Sequence, residues 1–320
     1  MTLGRPLPAG LWGSVGALAR APTLIGHLCR FRPQVIQTQL MTAEILGGLS
    51  RWILPDRPLW LHVEQNVYPW KSGPVRALER FLAGGDGLWV TPSRVVADHV
   101  QNRLGLPPGR VRVIPNGVKL TGREAPAVLE NPCDSKSPFR IGTVERLVPQ
   151  KRQELILRAL RRLRDRGLNV EWSLLGEGSC GRAIEKSISR LGLTPYCHWF
   201  GETTDPEVLF SQLHAYVTAS DREGFGISTI EAAVRAIPVL APDIPIFRET
   251  LGGLGGLLYA PGSAEDLADR VGRLVIDPTY REHMARSLST ATRGKYGLER
   301  MIDAYATLIQ SNGPAEMLTS

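Results

Sequence analysis

Short apolar runs rich in β-branched residues recur along the chain, alternating with stretches whose apolar positions fall at helical spacing. That alternation predicts parallel strands covered by helices, an α/β fold. In the first half the predicted strands are 34–39 (QVIQTQ), 59–64 (LWLHVE), 87–92 (GLWVTP) and 111–116 (VRVIPN). In the second half they are 139–144 (FRIGTV), 170–176 (VEWSLLG), 197–202 (CHWFGE), 215–220 (AYVTAS) and 237–242 (IPVLAP). Residues 119–137 lack any period and are rich in Pro, Ser and charge, which marks a linker. The expected domains are therefore 1–118 and 138–320, and after GGLLYAPG the pattern turns helical through 263–310. A chain of 320 residues fits two cores, since single cores tend to split beyond roughly 250–300 residues.

Composition changes this picture little: 43% hydrophobic and 22% charged residues are ordinary for a globular protein. No run reaches the ~18 apolar residues of a membrane span, and the apolar stretch near the start is broken by Arg20 and Pro22. With Arg5 ahead of it, that stretch is a weak match to a secretory leader. Cys29, Cys133, Cys180 and Cys197 show neither disulfide nor CxxC spacing, so they read as free thiols in a reducing, cytoplasmic compartment. The formal charge of +7 is concentrated. Residues 1–43 carry Arg5, Arg20, Arg30 and Arg32 with no acid, and residues 151–166 carry seven cations against Glu154 and Asp165. Leu155, Ile156, Ala159, Leu160 and Leu163 form an apolar stripe through the second stretch, which favours a solvated helix face over peripheral contact with anionic lipid on the inner membrane face. Nucleic acid is disfavoured, because the cations are not interleaved with stacking aromatics.

The candidate chemistry lies in REGFGISTIEAA, residues 222–233. Ser228 and Glu231 have the Ser-x-x-Glu spacing of a capping box, which predicts a helix starting near Ser228. Glu223 precedes it in a turn made pliable by Gly224 and Gly226, and a glycine turn feeding a helix start is a ready anion site. A plain capped helix after a surface loop fits the same residues. A second motif, LLGEGSCG, places Gly176, Gly178 and Gly181 as G-x-G-x-x-G between a strand and a helix. It falls on the second strand of its domain and lacks a ribose-binding acid about twenty residues on, so an NAD-dependent oxidoreductase is the remote alternative.

Taken in order, VRVIPNGV, IGTVERLVPQKR and LLGEGS…FGE…REGFGISTIEAA…IPVLAP resemble the nucleotide-sugar-dependent glycosyltransferases of family 4. The resemblance implies a GT-B fold of two Rossmann-like domains and a retaining hexosyl transfer from a nucleoside-diphosphate sugar to a saccharide or lipid-linked acceptor. It implies that Glu223 addresses the donor sugar and Glu231 the ribose, and that Gly201 and the stretch Gly224, Phe225, Gly226, Ile227, Ser228 and Thr229 line the donor. Arg146 and Lys151 follow a strand's carboxyl end, where open α/β sheets bind ligands, and suit the charge that grows on the departing phosphate. No metal cluster is visible, and the resemblance implies neither bound metal nor cofactor.

The first domain departs from the family. Members normally begin with a strand and a glycine-rich loop ahead of the strand matched by QVIQTQ, so the chain starts roughly two βα units late. Gln37-Thr38-Gln39 and Glu64-Gln65-Asn66 stand where relatives often read His-Thr-His and Glu-His-Asn. A glutamine cannot take up a proton near neutral pH, which puts the acceptor-side role of Gln65 and Asn66 in doubt. His62, three positions earlier, is expected to face the other way in a structural role. The alternative function is a donor-binding chain that is impaired or completed by a partner.

Overall fold

The computed structural model describes residues 21–312 except 69, 70, 72, 84–86, 121–136 and 204. The leader-like stretch to residue 20, most of the linker and Cys133 lie outside the described residues. The chain divides into two compact units, residues 1–115 with 302–320, and residues 116–301.

The first unit runs α1 (Ala21–Phe31), β1 (Val35–Gln39), α2 (Met41–Ile53), β2 (Leu59–Val63), α3 (Pro74–Ala83), β3 (Leu88–Thr91), α4 (Arg94–Leu104) and β4 (Val111–Val113). Its four strands lie in the order β1-β2-β3-β4, every pairing parallel. Trp60 and Trp89, on adjacent strands, meet edge to face with centroids 5.2 Å apart and carry the core with Leu82, Val96, Val100 and Leu104. Gly47 and Gly48 let α2 lie close to that core. A Cβ at Gly48 would stand 3.1 Å from side-chain atoms of both Leu82 and Trp60. α4 is fixed at both ends: the Ser93 hydroxyl accepts from the Val96 N–H at 3.2 Å, and Gly105 closes the helix in the left-handed region at φ 68°.

The second unit contains β5 (Phe139–Val144), α5 (Gln153–Asp165), β6 (Val170–Leu175), α6 (Gly181–Arg190), β7 (Cys197–Trp199), α7 (Glu207–Phe210), β8 (Ala215–Val217) and α8 (Ile227–Val234). β9 (Val239–Pro242), α9 (Pro245–Thr250), β10 (Leu257–Tyr259), α10 (Ala264–Ile276) and α11 (Pro278–Tyr296) follow, and α12 (Leu298–Asn312) crosses the division. The strand order is β10-β9-β8-β5-β6-β7, all parallel. From β5 the chain builds outward through β6 and β7, then returns to β8 on the other flank. The carboxyl ends of β5 and β8 are thus a topological switch point, where such sheets open a crevice. The α5 stripe packs into the core as its periodicity predicts, with Leu157 joining it, while Arg158, Arg161 and Arg162 stay exposed.

All nine predicted strands form. β10 was not predicted, because three residues between a glycine pair and Ala-Pro-Gly carry no usable period. The sequence reading kept the tail to 320 with the second unit; among the described residues, 302–312 group by contact with the first. Fifteen helical residues extend about 22 Å, and a continuous helical pattern has no mark for where its contacts change unit.

Candidate functional site

At the switch point, the loop after β5 and the loop after β8 bring three charged side chains together. The Lys151 ammonium donates to Glu223 Oε1 and lies 3.6 Å from Glu145 Oε2. Glu145 is buried, and both its oxygens are held: Gln153 donates to Oε1 at 3.0 Å and Thr218 to Oε2 at 3.1 Å. Ser220 donates to Glu223 Oε1 at 2.7 Å, and the Asp221 N–H reaches the Gln150 carbonyl at 2.9 Å, tying the two loops together. Burial pushes the Glu145 carboxyl up to about 7 against the pull of Lys151. Burial would lower Lys151, but Glu145 and Glu223 hold it above the ordinary lysine value, so it stays charged. Of the predicted residues, Lys151 and Glu223 therefore meet directly. Arg146 is exposed two residues past β5 and has no side-chain partner among the described residues. Glu145, Gln153 and Thr218 were not foreseen; a glutamate and a threonine directly after buried strands were the available signal.

The predicted capping box does not form. α8 starts at Ile227 with Gly226 as its N-cap in the left-handed region at φ 83°, and no side chain caps it. Glycine wins that position on space as well as angle, because a Cβ there would meet the Phe247 ring at 2.8 Å and Thr229 Oγ1 at 2.9 Å. Ser228 then falls inside the first turn, and its hydroxyl accepts from the Tyr216 hydroxyl at 2.8 Å. With the serine engaged elsewhere, the helix start keeps backbone N–H groups for another acceptor. Phe225 points into the core, edge to face with Tyr296 at 5.3 Å, so the part of it left for a ligand is its backbone. Glu231, released from capping, is half-buried; burial raises its carboxyl, which Arg235 opposes.

The glycine fingerprint serves packing. A Cβ at Gly176 would collide with the Glu145 carbonyl and one at Gly178 with the Leu147 carbonyl, both backbone. A Cβ at Gly181 would sit 2.7 Å from the Trp199 ring. Gly176 N–H donates to Gly201 O at 2.6 Å, and Leu147 N–H to Glu177 O at 2.9 Å. The glycines let the loop after β6 lie against the loop that carries Glu145 and Arg146, so the motif shapes the site from behind.

In the first unit, Gln65 and Asn66 follow β2, and the Asn66 side-chain oxygen accepts from the Val67 N–H at 2.8 Å. Beneath them lies a buried charge network that the sequence reading missed. Lys71 pairs with Glu79 at 2.8 Å, Glu64 at 3.0 Å and Glu44 at 3.4 Å; Arg103 pairs with Glu64 at 2.9 Å and Glu79 at 3.4 Å. Burial drives the Glu44 carboxyl up to about 8 against the pull of Lys71. His62 is fully buried in the same cluster. Burial, with Lys71 and Arg103 nearby, holds it down to about 3, and its Nδ1 is hydrogen-bonded with Thr38 Oγ1 at 3.1 Å. The ligand atoms of Glu44, His62 and Glu64 lie within 4.8 Å of one another, the spacing of a metal site, but the Lys71 ammonium stands against both carboxylates.

Residues 133–289 match the family model "Glycosyl transferases group 1", and residues 1–117 match "Glycosyl transferase 4-like domain". The chain is 27% identical over 173 residues to the poly(ribitol-phosphate) alpha-N-acetylglucosaminyltransferase of Staphylococcus aureus, covering 53% of this chain and 35% of that protein. It is 23% identical over 301 residues to the sulfoquinovosyl transferase SQD2 of Arabidopsis thaliana, covering 86% of this chain and 56% of that protein. The chain spans between 35% and 59% of the length of the first curated relatives it matches. The structure of Anabaena Alr3699/HepE in complex with UDP superposes with a TM-score of 0.79 at 19% identity, over 93% of this chain and 84% of that one. That likeness shows the fold, which is GT-B. Among the described residues, no helix is long and apolar enough to cross a membrane.

Proposed function

We propose, on the premise that the chain carries a glycosyl transferase 4-like domain and a glycosyl transferases group 1 domain, that it moves a hexosyl group from a nucleoside-diphosphate sugar to a saccharide or lipid-linked acceptor with retention of configuration. The observation that carries this reading is the meeting of Lys151, Glu223 and Glu145 at the switch point, together with the uncapped start of α8. Breaking the bond from sugar to diphosphate puts negative charge on the departing phosphate, and a fixed cation at the switch point stabilises it without reorganisation. In this reading Lys151 and Arg146 face the diphosphate, with the amides of residues 225–229 beside them. Glu223 exchanges its ammonium partner for hydroxyls of the donor sugar, and Glu231 takes the ribose. Burial of Glu145 beneath Lys151 holds the ammonium in place, so Glu145 acts by positioning. The reading calls on no metal and no cofactor.

A second reading, a chain that binds donor without turning it over, is favoured by Gln65. It stands at the carboxyl end of β2 where the family resemblance implies a histidine, and its amide cannot exchange a proton. Nucleotide release from a panel of UDP, GDP and ADP sugars, run beside a thermal-shift screen of the same nucleotides, separates the two. Ligand at ~100 times its dissociation constant should stabilise the binding unit by about 2.7 kcal/mol. A shift with release supports the transferase, and a shift without release supports the binding chain. No shift with any nucleotide overturns both.

A further inference from the structure

We propose, resting on the reading that Lys151 turns to the diphosphate, that the site takes up a proton as it binds the donor, and that Glu145 receives it along the hydroxyls of Ser220 and Thr218. In the ligand-free site two carboxylates, Glu145 and Glu223, share one ammonium, Lys151. A second route also joins them. Thr218 Oγ1 donates to Glu145 Oε2 at 3.1 Å, Ser220 Oγ donates to Glu223 Oε1 at 2.7 Å, and the two hydroxyl oxygens lie 3.3 Å apart. Glu145, Thr218 and Ser220 are all buried.

This chain has three contacts and, with both acids ionised, two hydrogens. Each hydroxyl then gives its one hydrogen to a carboxylate, and the contact between Thr218 and Ser220 sets oxygen against oxygen. One proton added at Glu145 Oε2 completes the chain: Glu145 donates to Thr218, Thr218 to Ser220 and Ser220 to Glu223. A buried polar contact without a hydrogen costs free energy, so the fully ionised form depends on Lys151 to hold both acids charged. A diphosphate that draws the ammonium to itself and adds its own negative charge removes that support. The proton goes to Glu145 rather than Glu223, because Glu145 is the more deeply buried anion, at 2% side-chain exposure against 11%. It enters from solvent and returns there when the nucleotide leaves.

The other groups packed around Glu145 do not compete for the proton. Gln153, on α5, is neutral and donates to Oε1, and the loop after β6 sets only Gly176 against its backbone. Tyr216 on β8 and Tyr259 on β10 are phenols that burial holds above their ordinary range, so they stay neutral. Arg146, the next residue, is exposed. Burial already brings the Glu145 carboxyl up to about 7, which places the exchange near neutral pH.

The test is isothermal titration calorimetry of the full chain at about pH 7.5, with whichever of UDP, GDP and ADP binds most tightly, in Hepes and in Tris, whose ionisation enthalpies differ. The terminal phosphate of the free nucleotide titrates near ~6, so it contributes little there. Uptake of about 0.5–0.8 proton is expected, with the dissociation constant rising about 3- to 6-fold per pH unit. Glu145→Gln cannot titrate and should take up less than about 0.1 proton. Thr218→Val removes the donor that favours ionised Glu145, so the carboxyl is protonated before ligand arrives and uptake should fall at least ~2-fold. Circular dichroism and melting check that both variants fold, and the second reads the same quantity where the first does not fold. Binding with no uptake, or with proton release, would overturn the proposal and leave the donor site standing. Undiminished uptake in a folded variant would also overturn it. If no nucleotide binds, the donor-site reading falls and the proposal falls with it.

Discussion

Replacing Lys151 by alanine should strip the diphosphate of its fixed counter-charge while leaving the nucleoside alone. In the ligand-free site Lys151 sits between Glu223 and Glu145, 3.6 Å from the latter. At that distance the gross attraction to Glu145 is about 4.6 kcal/mol with an effective dielectric near 20. Little of this should appear as lost stability below pH 7, because Glu145 already titrates near 7 and, without its cation, keeps its proton to higher pH. The binding term does not escape so easily. Loss of one charge-assisted contact to phosphate costs about 1.5–3 kcal/mol, or roughly 10- to 150-fold in dissociation constant. Calorimetry with UDP and with uridine, at two salt concentrations, reads the difference, with the uridine constant expected to stay within about twofold. Raising pH from 6 to 8 should destabilise the variant more than the wild type, since Glu145 must then ionise without a partner. Equal losses for UDP and uridine, or an unchanged UDP constant in a folded variant, would refute the placement of Lys151 against phosphate.

Three further outcomes follow from the same geometry. Glu44, raised from 4.5 to about 8, contributes stability that is present at low pH and lost as pH climbs through 8. His62 and His214, held down to about 3 and about 4, lose stability only as pH falls below 6.5, so the melting temperature should decline from pH 6.5 to about 8, and Glu44→Gln should flatten that decline. An equal slope in the variant would show that Glu44 is not the titrating group. Gly226→Ala should destabilise by about 1–3 kcal/mol in denaturant melts, from its left-handed φ and the Phe247 contact; a neutral result would mean the turn can relax. Glu231→Ala should weaken UDP by about 1.5–3 kcal/mol, more than Glu223→Ala does, with little loss of stability now that it caps nothing. A stability loss with unchanged UDP affinity would remove the ribose role.

The alternation of apolar runs and helical stripes was enough to read two α/β units, because strand and helix burial write periods of 2 and 3.6 directly into the chain. FRIGTV and the α5 stripe form as their patterns demand. The sequence also marked Arg146, Lys151, Glu223 and the glycine turn, whose residue types are chemically distinctive. Strand order carries no such local mark. That β5 and β8 are neighbours, and so that Lys151 reaches Glu223 across 72 residues, is settled only when the sheet assembles. Local spacing misled where tertiary contacts competed for the same atoms. Ser228 was free to cap in the sequence but is taken by Tyr216, and Gly176 and Gly178 imitate a dinucleotide loop while making room for the backbone of 145–147. Burial of charge was invisible for the same reason: Glu44, Lys71, Glu79 and Arg103 look like ordinary surface residues in their own helices and loops, and Glu64 like a polar strand end. Only packing removes their water, and once it does, each needs a partner that another element brings to it, as Arg103 is brought to Glu64 and Lys71 to Glu44.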